Sequence, residues 1–297
     1  MILVTGGTGF VGPKIVHALR ERELPVRALV RNPAARPAAT LAAWGAELVH
    51  GDITDAASLR RAAAGCDAVV HLVAIRQGSK EQFRRVMEQG TRDLVAASKE
   101  TGARRFVLMS ALGTTEETKD LVPYYHAKWE MEQTVASSGL EYVIFRPSFI
   151  FGRDGGILTT FRRVAKLAPV TPIIGSGEQR IQPIWIDDVA AYFAASVDKP
   201  EAAGRTFELG GPDAVTWNEF WARLKRSLGQ RRPSVHVPVR LMRVNALLTE
   251  RLPGNIPLTR DLLTMLEHGD NTVSNHDAVR TFGIPLLSLD EQLRRAA

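Results

Sequence analysis

Residues 2–12 read Ile2-Leu3-Val4-Thr5-Gly6-Gly7-Thr8-Gly9-Phe10-Val11-Gly12. The first residues are apolar and partly β-branched, which is typical of a buried parallel strand. The glycines at positions 6, 9 and 12 permit a tight turn from this strand into a helix, and Pro13 suits the first turn of that helix. The stretch therefore predicts a strand, a glycine turn and a helix in direct succession.

The glycine turn has the chemistry of a phosphate-binding loop. Glycine has no Cβ to keep a pyrophosphate away from the backbone, and free N–H groups at the start of a helix bind phosphate oxygens. The alternative, a turn that binds nothing, is disfavoured by the strand and helix on either side. We therefore predict nucleotide contacts from Gly6, Thr8, Gly9, Phe10, Val11 and Gly12.

The composition is that of a globular protein. The 297 residues are 45% hydrophobic, enough to bury a core in one large unit or two closely joined ones. A strand at Ile2 leaves no room for a signal peptide, and no run of about 18 uncharged apolar residues follows, so we expect a cytoplasmic protein. Cys66 is the only cysteine, and no Cys/His spacing suggests a metal site, so we expect neither a disulfide nor a metal.

Positive charge is concentrated in one part of the chain. The formal net charge is +6, and the segment from Glu219 to Arg251, called the basic segment below, accounts for the whole excess. An anionic membrane surface or a protein complex could contact it peripherally. The stretch from Val239 to Leu252, at the end of this segment, mixes leucines with arginines, which fits a lobe helix, a dimer contact or a basic helix on anionic lipid.

A second strand, Val26 to Val30, ends at Arg31 and Asn32. In nucleotide-binding folds, an acid just past this strand selects a free ribose 2′-hydroxyl, whereas an arginine accommodates a 2′-phosphate. Arg31 therefore indicates NADP, with NAD as the other possibility. The alternative for Arg31 is an ordinary solvated side chain.

Several further motifs carry a resemblance to a known family. They are Thr5-Gly6-x-x-Gly9-x-x-Gly12, Gly51-Asp52-Ile53, Ser110-Ala111-Leu112-Gly113, Tyr124-x-x-x-Lys128 and Arg146-Pro147-Ser148. Together they resemble the short-chain dehydrogenase/reductase superfamily, in the extended or atypical branch that includes the NAD(P)-binding accessory subunit of respiratory complex I and its bacterial relatives.

This resemblance implies an α/β fold: a Rossmann-type doubly wound parallel sheet with a smaller, interleaved C-terminal substrate lobe. The dinucleotide-binding domain is expected over 1–152 plus about 180–212, and the lobe over about 153–179 plus 213–297. A single long helix is expected from Phe83 to Thr101, and His71 is expected to be a core histidine with satisfied hydrogen bonds.

The resemblance also implies roles for individual residues. Asp52 and Ile53 are expected at the adenine, Leu72, Val73 and Ala74 behind the ribose and phosphates, Lys128 at the nicotinamide ribose, and Pro147 and Ser148 at the nicotinamide. Tyr124, Lys128 and Ser110 are the implied catalytic residues, with Thr114 as a substitute for Ser110.

Tyr124 and Lys128 are four residues apart, which places both on one face of a helix. A nearby ammonium stabilises a phenolate and lowers its pKa, so that the tyrosine can exchange a proton while hydride moves. The branch usually has an asparagine where this chain has Met87, and often a hydroxyl residue at Ala111 or Leu112. These departures weaken the expected proton relay.

Two functions follow from these residues. The first is an NADP(H)-dependent reductase or dehydrogenase acting on an unidentified small-molecule substrate, with no nucleic-acid partner. The second is a catalytically weak NADP(H)-binding protein with a structural, assembly or redox-sensing role. Tyr124 favours the first, and Met87, Ala111 and Leu112 favour the second.

Overall fold

The computed structural model describes residues 1–249 and 259–297. Residues 250–258, which include the last two charged residues of the basic segment, lie outside the described part. The chain divides into two units. The first comprises Met1–Pro147, Ile186–Leu209 and His276–Ile284, and the second comprises Ser148–Trp185, Gly210–Asn275 and Pro285–Ala297. In the described ranges, every helix is too short or too polar to cross a membrane.

The strands in chain order are β1 (Ile2–Thr5), β2 (Val26–Val30), β3 (Glu47–His50), β4 (Ala68–His71), β5 (Arg105–Met109), β6 (Glu141–Pro147), β7 (Ile150–Phe151), β8 (Thr171–Ile174), β9 (Arg180–Ile181), β10 (Ile184–Trp185), β11 (Arg205–Leu209), β12 (Val215–Thr216) and β13 (Ser234–Val237). The α-helices are α1 (Gly12–Glu21), α2 (Arg36–Ala43), α3 (Ala56–Ala63), α4 (Lys80–Phe83), α5 (Gly90–Glu100), α6 (Pro123–Ala136), α7 (Gly156–Leu167), α8 (Ile186–Ser196), α9 (Trp217–Ser227), α10 (Val239–Thr249), α11 (Arg260–Glu267), α12 (His276–Phe282) and α13 (Leu289–Ala296).

A seven-stranded sheet forms the centre of the first unit, in the order β11-β6-β5-β4-β1-β2-β3. All its strand pairs are parallel, with Val4 opposite Ala28 on one side and Val70 on the other. The chain order reverses between β1 and β4, which is the switch point where such folds bind ligands. The predicted Rossmann-type doubly wound fold is confirmed.

Helices cover both faces of this sheet. Helix α1 packs against α2 and α8, whereas α5 packs against α3 and α6. Leu3 shares a core with Leu59 of α3, while the neighbouring Val4 lies near Val16 of α1 and Leu41 of α2 around Gly7. Alternate residues of β1 therefore point to opposite apolar layers, which explains its unbroken apolar sequence.

The long helix expected from Phe83 to Thr101 is interrupted. It starts earlier, at Lys80, because Ser79 and Gln82 form a capping box. Between α4 and α5, residues Arg84–Gln89 form a π-helical segment. Hydrophobic periodicity predicts a helix but does not reveal one inserted residue, so the π turn could not be predicted from the sequence.

The second unit contains strands as well as the expected helices. Strands β7 and β10 pair in parallel, as do β8 and β13, while β9 and β12 pair antiparallel. Its aromatic core has Phe161 of α7 within 5.3–5.5 Å, between ring centroids, of Trp217, Phe220 and Trp221 of α9.

The first unit has boundaries at Pro147, Ile186 and Leu209, where the sequence analysis expected limits at 152, about 180 and 212. One segment is placed differently: residues 276–284, expected in the lobe, lie in the first unit. There the Phe282 ring of α12 lies 5.7 Å from Phe145 and 5.2 Å from Phe207, between centroids. The sequence of a short amphipathic helix indicates that one of its faces is buried. It does not indicate which unit the helix packs against.

Candidate functional site

The residues predicted to bind the cofactor lie at one edge of the seven-stranded sheet. Because the strands are parallel, the loops that follow β1 to β6 all begin at the carboxyl edge. These loops carry Gly6 after β1, Arg31 after β2, Asp52 after β3, Leu72 after β4 and Ser110 after β5. The fold thus gathers residues that are up to a hundred positions apart in the sequence.

The glycine turn is shaped by two of its glycines. Gly6 has φ +77°, and a Cβ there would lie 3.0 Å from the backbone of Leu72 and Val73. A Cβ on Gly12 would lie 2.4 Å from the Gly6 carbonyl oxygen. No larger residue fits either position, because the obstructing atoms are backbone. These two glycines therefore fix the turn itself, whatever it binds.

Helix α1 begins at this turn, with Gly12 and Pro13 as its first residues. Val11 is the N-cap without a side-chain cap hydrogen bond, and the first turn contains no acidic residue. Thr8 and Gly9 are exposed, Phe10 is half-buried, and Val11 and Gly12 are buried. A helix start of this kind attracts a phosphate, because its N–H groups and dipole both favour negative charge.

The charges of two arginines favour the ionised form of Asp52. Its carboxylate accepts hydrogen bonds from the Thr54 amide at 2.8 Å and the Thr54 hydroxyl at 2.7 Å. Partial burial raises the pKa of Asp52, but the Thr54 hydrogen bonds and the charges of Arg31 and Arg85 outweigh it, so the pKa is lowered overall. The carboxylate is therefore ionised, and two cations lie near it.

Arg85 is a residue that the sequence analysis missed. It lies in the π-helical segment, one turn before Gly90, whose N–H donates to the Arg85 carbonyl. Gly90 lies against Ile53, since a Cβ on Gly90 would be 2.7 Å from Ile53 Cγ1. Nothing in the sequence pairs Arg85 with Asp52, because only the packing of this helix brings them together.

Ile53 and the residues after β4 differ in exposure. Ile53 is buried in the core, whereas Leu72 and Val73 are half-buried and Ala74 is exposed. Pro147 is buried at the end of β6. Ser148 is the first residue of the second unit, where its hydroxyl donates to Asn271 Oδ1 at 2.5 Å.

His71, at the end of β4, is the centre of a buried hydrogen-bond chain, as expected for a core histidine. Its Nδ1 lies 2.6 Å from the Thr5 hydroxyl, and its Nε2 lies 3.0 Å from the Thr91 hydroxyl. The Thr91 hydroxyl donates to the Met87 carbonyl at 2.5 Å. Because the Thr91 hydroxyl donates its proton to Met87, it must accept a hydrogen bond from the Nε2–H of His71. The Nδ1 of His71 then carries no proton and accepts from the Thr5 hydroxyl.

This chain keeps His71 neutral. Burial, helped by the nearby charge of Lys128, lowers the pKa of His71 from 6.5 to about 3. The neutral imidazole connects Thr5, at the start of the glycine turn, to Thr91 of α5. His71 therefore supports the turn from behind rather than exchanging protons at neutral pH.

Lys128 is buried at the same edge of the sheet. Its side chain is 1% exposed, and its Nζ donates to the Met109 carbonyl, at the end of β5, at 2.6 Å. Burial lowers the pKa of Lys128 to about 8, and the Glu132 carboxylate opposes this effect. The Nζ lies 5.9 Å from the centroid of the Tyr124 ring.

Tyr124 lies near Lys128, as its spacing predicted, but its acidity differs from the expectation. Burial of the ring and the neighbouring Tyr125 raise the pKa of Tyr124 above its usual value of 10, with Arg76 opposing. The expected lowering by Lys128 is not seen in the protein alone. The physical reason is the burial of the phenol, while the Lys128 ammonium donates its hydrogen bond to the Met109 carbonyl.

Two buried hydroxyls in the segment after β5 have no hydrogen-bond partner among the described residues. Ser110 is 3% exposed and Thr114 is fully buried, and neither hydroxyl makes a hydrogen bond within the described residues. Buried hydroxyls are normally satisfied, so an unsatisfied pair after β5 is typical of a site that a ligand completes. These are the two hydroxyls that the sequence analysis named.

A buried ion pair lies behind Lys128, and the sequence analysis did not predict it. The Arg146 guanidinium of β6 donates to both carboxylate oxygens of Glu132, through Nε at 3.0 Å and Nη2 at 2.6 Å. Glu132 is 3% exposed. A sequence signal existed, since Glu132 is four residues after Lys128, but its partner on another strand was not apparent.

The fold and this edge of the sheet define a dinucleotide-binding α/β protein. A family model described as NAD(P)H-binding matches residues 6–200. The chain therefore belongs to this NAD(P)H-binding family, and its cofactor is NAD(P)(H).

The chain is also similar to known proteins and solved structures. The chain is 28% identical over 253 residues to the NAD(P)H azoreductase of Xenophilus azovorans, covering 84% of this chain and 80% of the relative. It is 25% identical over 244 residues to the photosystem II assembly factor Ycf39 of Trieres chinensis, covering 82% and 74%. The NADPH complex of an Escherichia coli NADPH-dependent quinone oxidoreductase has the same fold, with TM-score 0.80, 22% identity, and coverage of 99% and 98%.

Stability should depend on the charge state of His71. The unfolded chain takes up a proton near pH 6.5, whereas the folded protein resists until about 3, because burial lowers the pKa of His71. Stability should therefore fall as the pH drops from about 6.5 to 4, by up to about 1.4 kcal/mol per pH unit. Urea unfolding of the wild type and His71→Gln at several pH values measures this, and parallel profiles for the two proteins would contradict it.

Proposed function

We propose that the protein is an NADP(H)-dependent reductase in which Lys128 and Tyr124 serve the reacting end of the cofactor. The observation that supports this most strongly is the burial of the Lys128 ammonium beside the Tyr124 ring, at the carboxyl edge of the sheet. A buried cation is costly unless it is paired and hydrogen-bonded, and buried charged groups of this kind cluster at functional sites. The unsatisfied hydroxyls of Ser110 and Thr114 add donors and acceptors in the segment that follows β5.

The remaining residues support a cofactor that lies along this edge. The turn at Gly6 to Gly12 and the start of α1 would hold the pyrophosphate. Asp52 would accept from the adenine amino group, with Leu72, Val73 and Ala74 along the ribose and phosphates. Pro147 and Ser148 are the proposed nicotinamide contacts. NADPH, when bound, supplies the hydride.

In this proposal Tyr124 acts as the proton donor. Because the pKa of Tyr124 is raised by burial, its phenol is fully protonated at neutral pH. A protonated phenol suits the reduction of an acceptor, which needs one proton for each hydride. Lys128, whose pKa is near 8 through burial, can stabilise the phenolate that remains and bind the ribose.

The proposed substrate is a small conjugated acceptor of the azo or quinone type. This class comes from the names of the azoreductase and the quinone oxidoreductase that the chain is similar to. The chain keeps a tyrosine and a lysine at the required spacing.

A second candidate function is a nucleotide-binding assembly or redox-sensing role. Met87, where the resemblance expected an asparagine, is fully buried in the core, and its carbonyl accepts a hydrogen bond from the Thr91 hydroxyl. This position therefore contributes no side-chain group to a proton relay. Similarity to the assembly factor Ycf39 is in line with this role.

We further propose that the basic segment contacts an anionic membrane surface. In α10, Leu241 and Val244 are 60% and 56% exposed, and Arg240 is exposed beside them. Arg243 is partly neutralised by Glu267, at 2.5 Å. Exposed leucine and valine between arginines are typical of helices that lie on anionic lipid. Arg251 lies outside the described residues.

NADPH should bind more tightly than NADH, and Arg31→Ala should remove most of the difference. A charge-assisted contact with the 2′-phosphate is worth about 1.5–3 kcal/mol, or roughly a tenfold to hundredfold change in affinity. Fluorescence titration of both nucleotides measures it. Arg104→Ala, an exposed arginine before β5, is the matched control and should change neither affinity. Equal affinities in the wild type would refute the assignment to NADP.

Tyr124→Phe should lower turnover of a quinone or azo acceptor by about 10²–10⁴-fold with nearly unchanged NADPH affinity, because a general acid is lost. Lys128→Met should weaken both turnover and affinity, since the lysine serves the ribose and the phenol. If the protein is a nucleotide-binding assembly factor, Tyr124→Phe should change nothing, and Lys128→Met should lower only NADPH affinity and the NADPH-dependent rise in melting temperature. Steady-state kinetics and thermal melts on both variants distinguish the two functions.

The protein should sediment with phosphatidylserine vesicles at low salt and lose this binding as ionic strength rises, since the Debye length is about 10 Å at 0.1 M. Arg240→Glu should reduce the bound fraction more than Arg104→Glu, which changes the net charge equally. Equal losses would show a nonspecific charge effect. No sedimentation of the wild type at low salt would leave α10 as a helix of the second unit with no lipid role.

A further inference from the structure

The ion pair behind Lys128 occupies both oxygens of one carboxylate. Arg146 Nε and Nη2 each donate to a different oxygen of Glu132, a bidentate arrangement. Glu132 lies one helical turn after Lys128 on α6, close enough to act on its charge. Yet the Lys128 ammonium donates to the Met109 carbonyl, toward the end of β5.

A buried lysine beside a buried carboxylate normally forms a direct ion pair, because both charges are costly alone. Such a pair would draw the ammonium along α6 toward Glu132. It would also compete with any ligand for the ammonium. The bidentate contact with Arg146 removes this competitor, while leaving the carboxylate near enough to favour a charged Lys128.

The neighbouring groups on β4, α6 and β6 do not form an ion pair with Lys128 in place of Glu132. His71 of β4 is neutral at pH 7, because burial lowers its pKa to about 3. Tyr124 of α6 is an uncharged phenol, since burial raises its pKa. On β6, Arg146 is paired as described, and it also lies opposite Glu208 of β11 in the strand register.

A charged cluster of three residues links α6 to the helical segments packed against it. Arg92 of α5 lies 3.6 Å from Glu130 and 3.7 Å from Glu88, and its side chain is 43% exposed. Arg92 and Glu130 are accessible to solvent, which weakens the field of this cluster at the buried ammonium. Glu132 is therefore the buried carboxylate whose charge acts on the Lys128 ammonium.

We propose that Arg146 is a positioning residue for the site: by engaging both oxygens of Glu132, it keeps that carboxylate from capturing Lys128 and leaves the ammonium at the end of β5. This inference rests on the proposed function for its consequence in cofactor binding. The contact itself is independent of that function, since it exists within the protein alone.

The first test needs no nucleotide. The pKa of Lys128, lowered by burial to about 8, lies below its ordinary 10.5, so the unfolded chain binds more protons between these values and stability rises with pH across that window. In Arg146→Gln a direct pair between Lys128 and Glu132 should return the pKa toward its ordinary value. The rise in melting temperature from pH 8 to 10 should then shrink to that of Lys128→Met.

The matched control is Arg105→Gln. Arg105 is a second buried arginine, 2% exposed, which pairs with Glu141 at 2.8 Å at the start of β5. Its loss should lower the melting temperature but leave the dependence on pH between 8 and 10 as in the wild type. If Arg146→Gln does not fold, Arg146→Lys keeps the charge, frees one carboxylate oxygen, and should show the same change in smaller degree.

The second test measures NADPH. Arg146→Gln should weaken NADPH binding at pH 7 about tenfold to hundredfold, the worth of a charged contact. Glu132→Gln/Arg146→Gln removes the competitor and should recover much of this loss. A merely structural role would make the double variant no better than the single one.

The proposal is overturned if Arg146→Gln, or Arg146→Lys where the first does not fold, keeps the wild-type dependence of melting temperature on pH. It is also overturned if the double variant binds NADPH no better than Arg146→Gln. Failure of the wild type to bind NADPH would refute the proposed function instead, and the nucleotide-free comparison would still decide the role of Arg146.

Discussion

The buried ammonium of Lys128 is the constraint on which the proposed site depends. A cation that is 1% exposed loses its hydration, and burial lowers its pKa to about 8. The protein compensates with a carbonyl at the end of β5 and a carboxylate one turn along α6. That carboxylate needs its own partner, which Arg146 supplies from β6. One helix and two strands are therefore held together by one buried charge.

A neutral group, His71, lies on β4, the strand that pairs with β5. His71 connects Thr5 to Thr91 through hydrogen bonds whose direction is set by the Thr91 hydroxyl. Because Lys128 is nearby, a charged His71 would add a second buried cation. Lys128 carries the charge and His71 stays neutral. The neutral His71 accepts the hydrogen bond of Thr5 at the start of the glycine turn.

Much of the fold could be predicted because its signals are local. The apolar strand at Ile2, the glycines at positions 6 and 12, and the regular alternation of strands and helices predict a parallel sheet with a nucleotide-binding edge. Tyr124 and Lys128 could be paired because one helical turn separates them. The π-helical segment, the placement of α12 and the cation at Arg85 left no such local pattern.

The sequence alone determined the fold class and the strand ends at which the proposed cofactor contacts lie, since strand and helix periodicity and glycine spacing depend on residues close in the chain. The tertiary structure decided the charge states: a neutral His71, a protonated Tyr124 and the engagement of Glu132 by Arg146. The physical reason is that pKa values and ion pairs depend on burial and on neighbours from other strands. Packing brings these neighbours together, and sequence spacing does not record them.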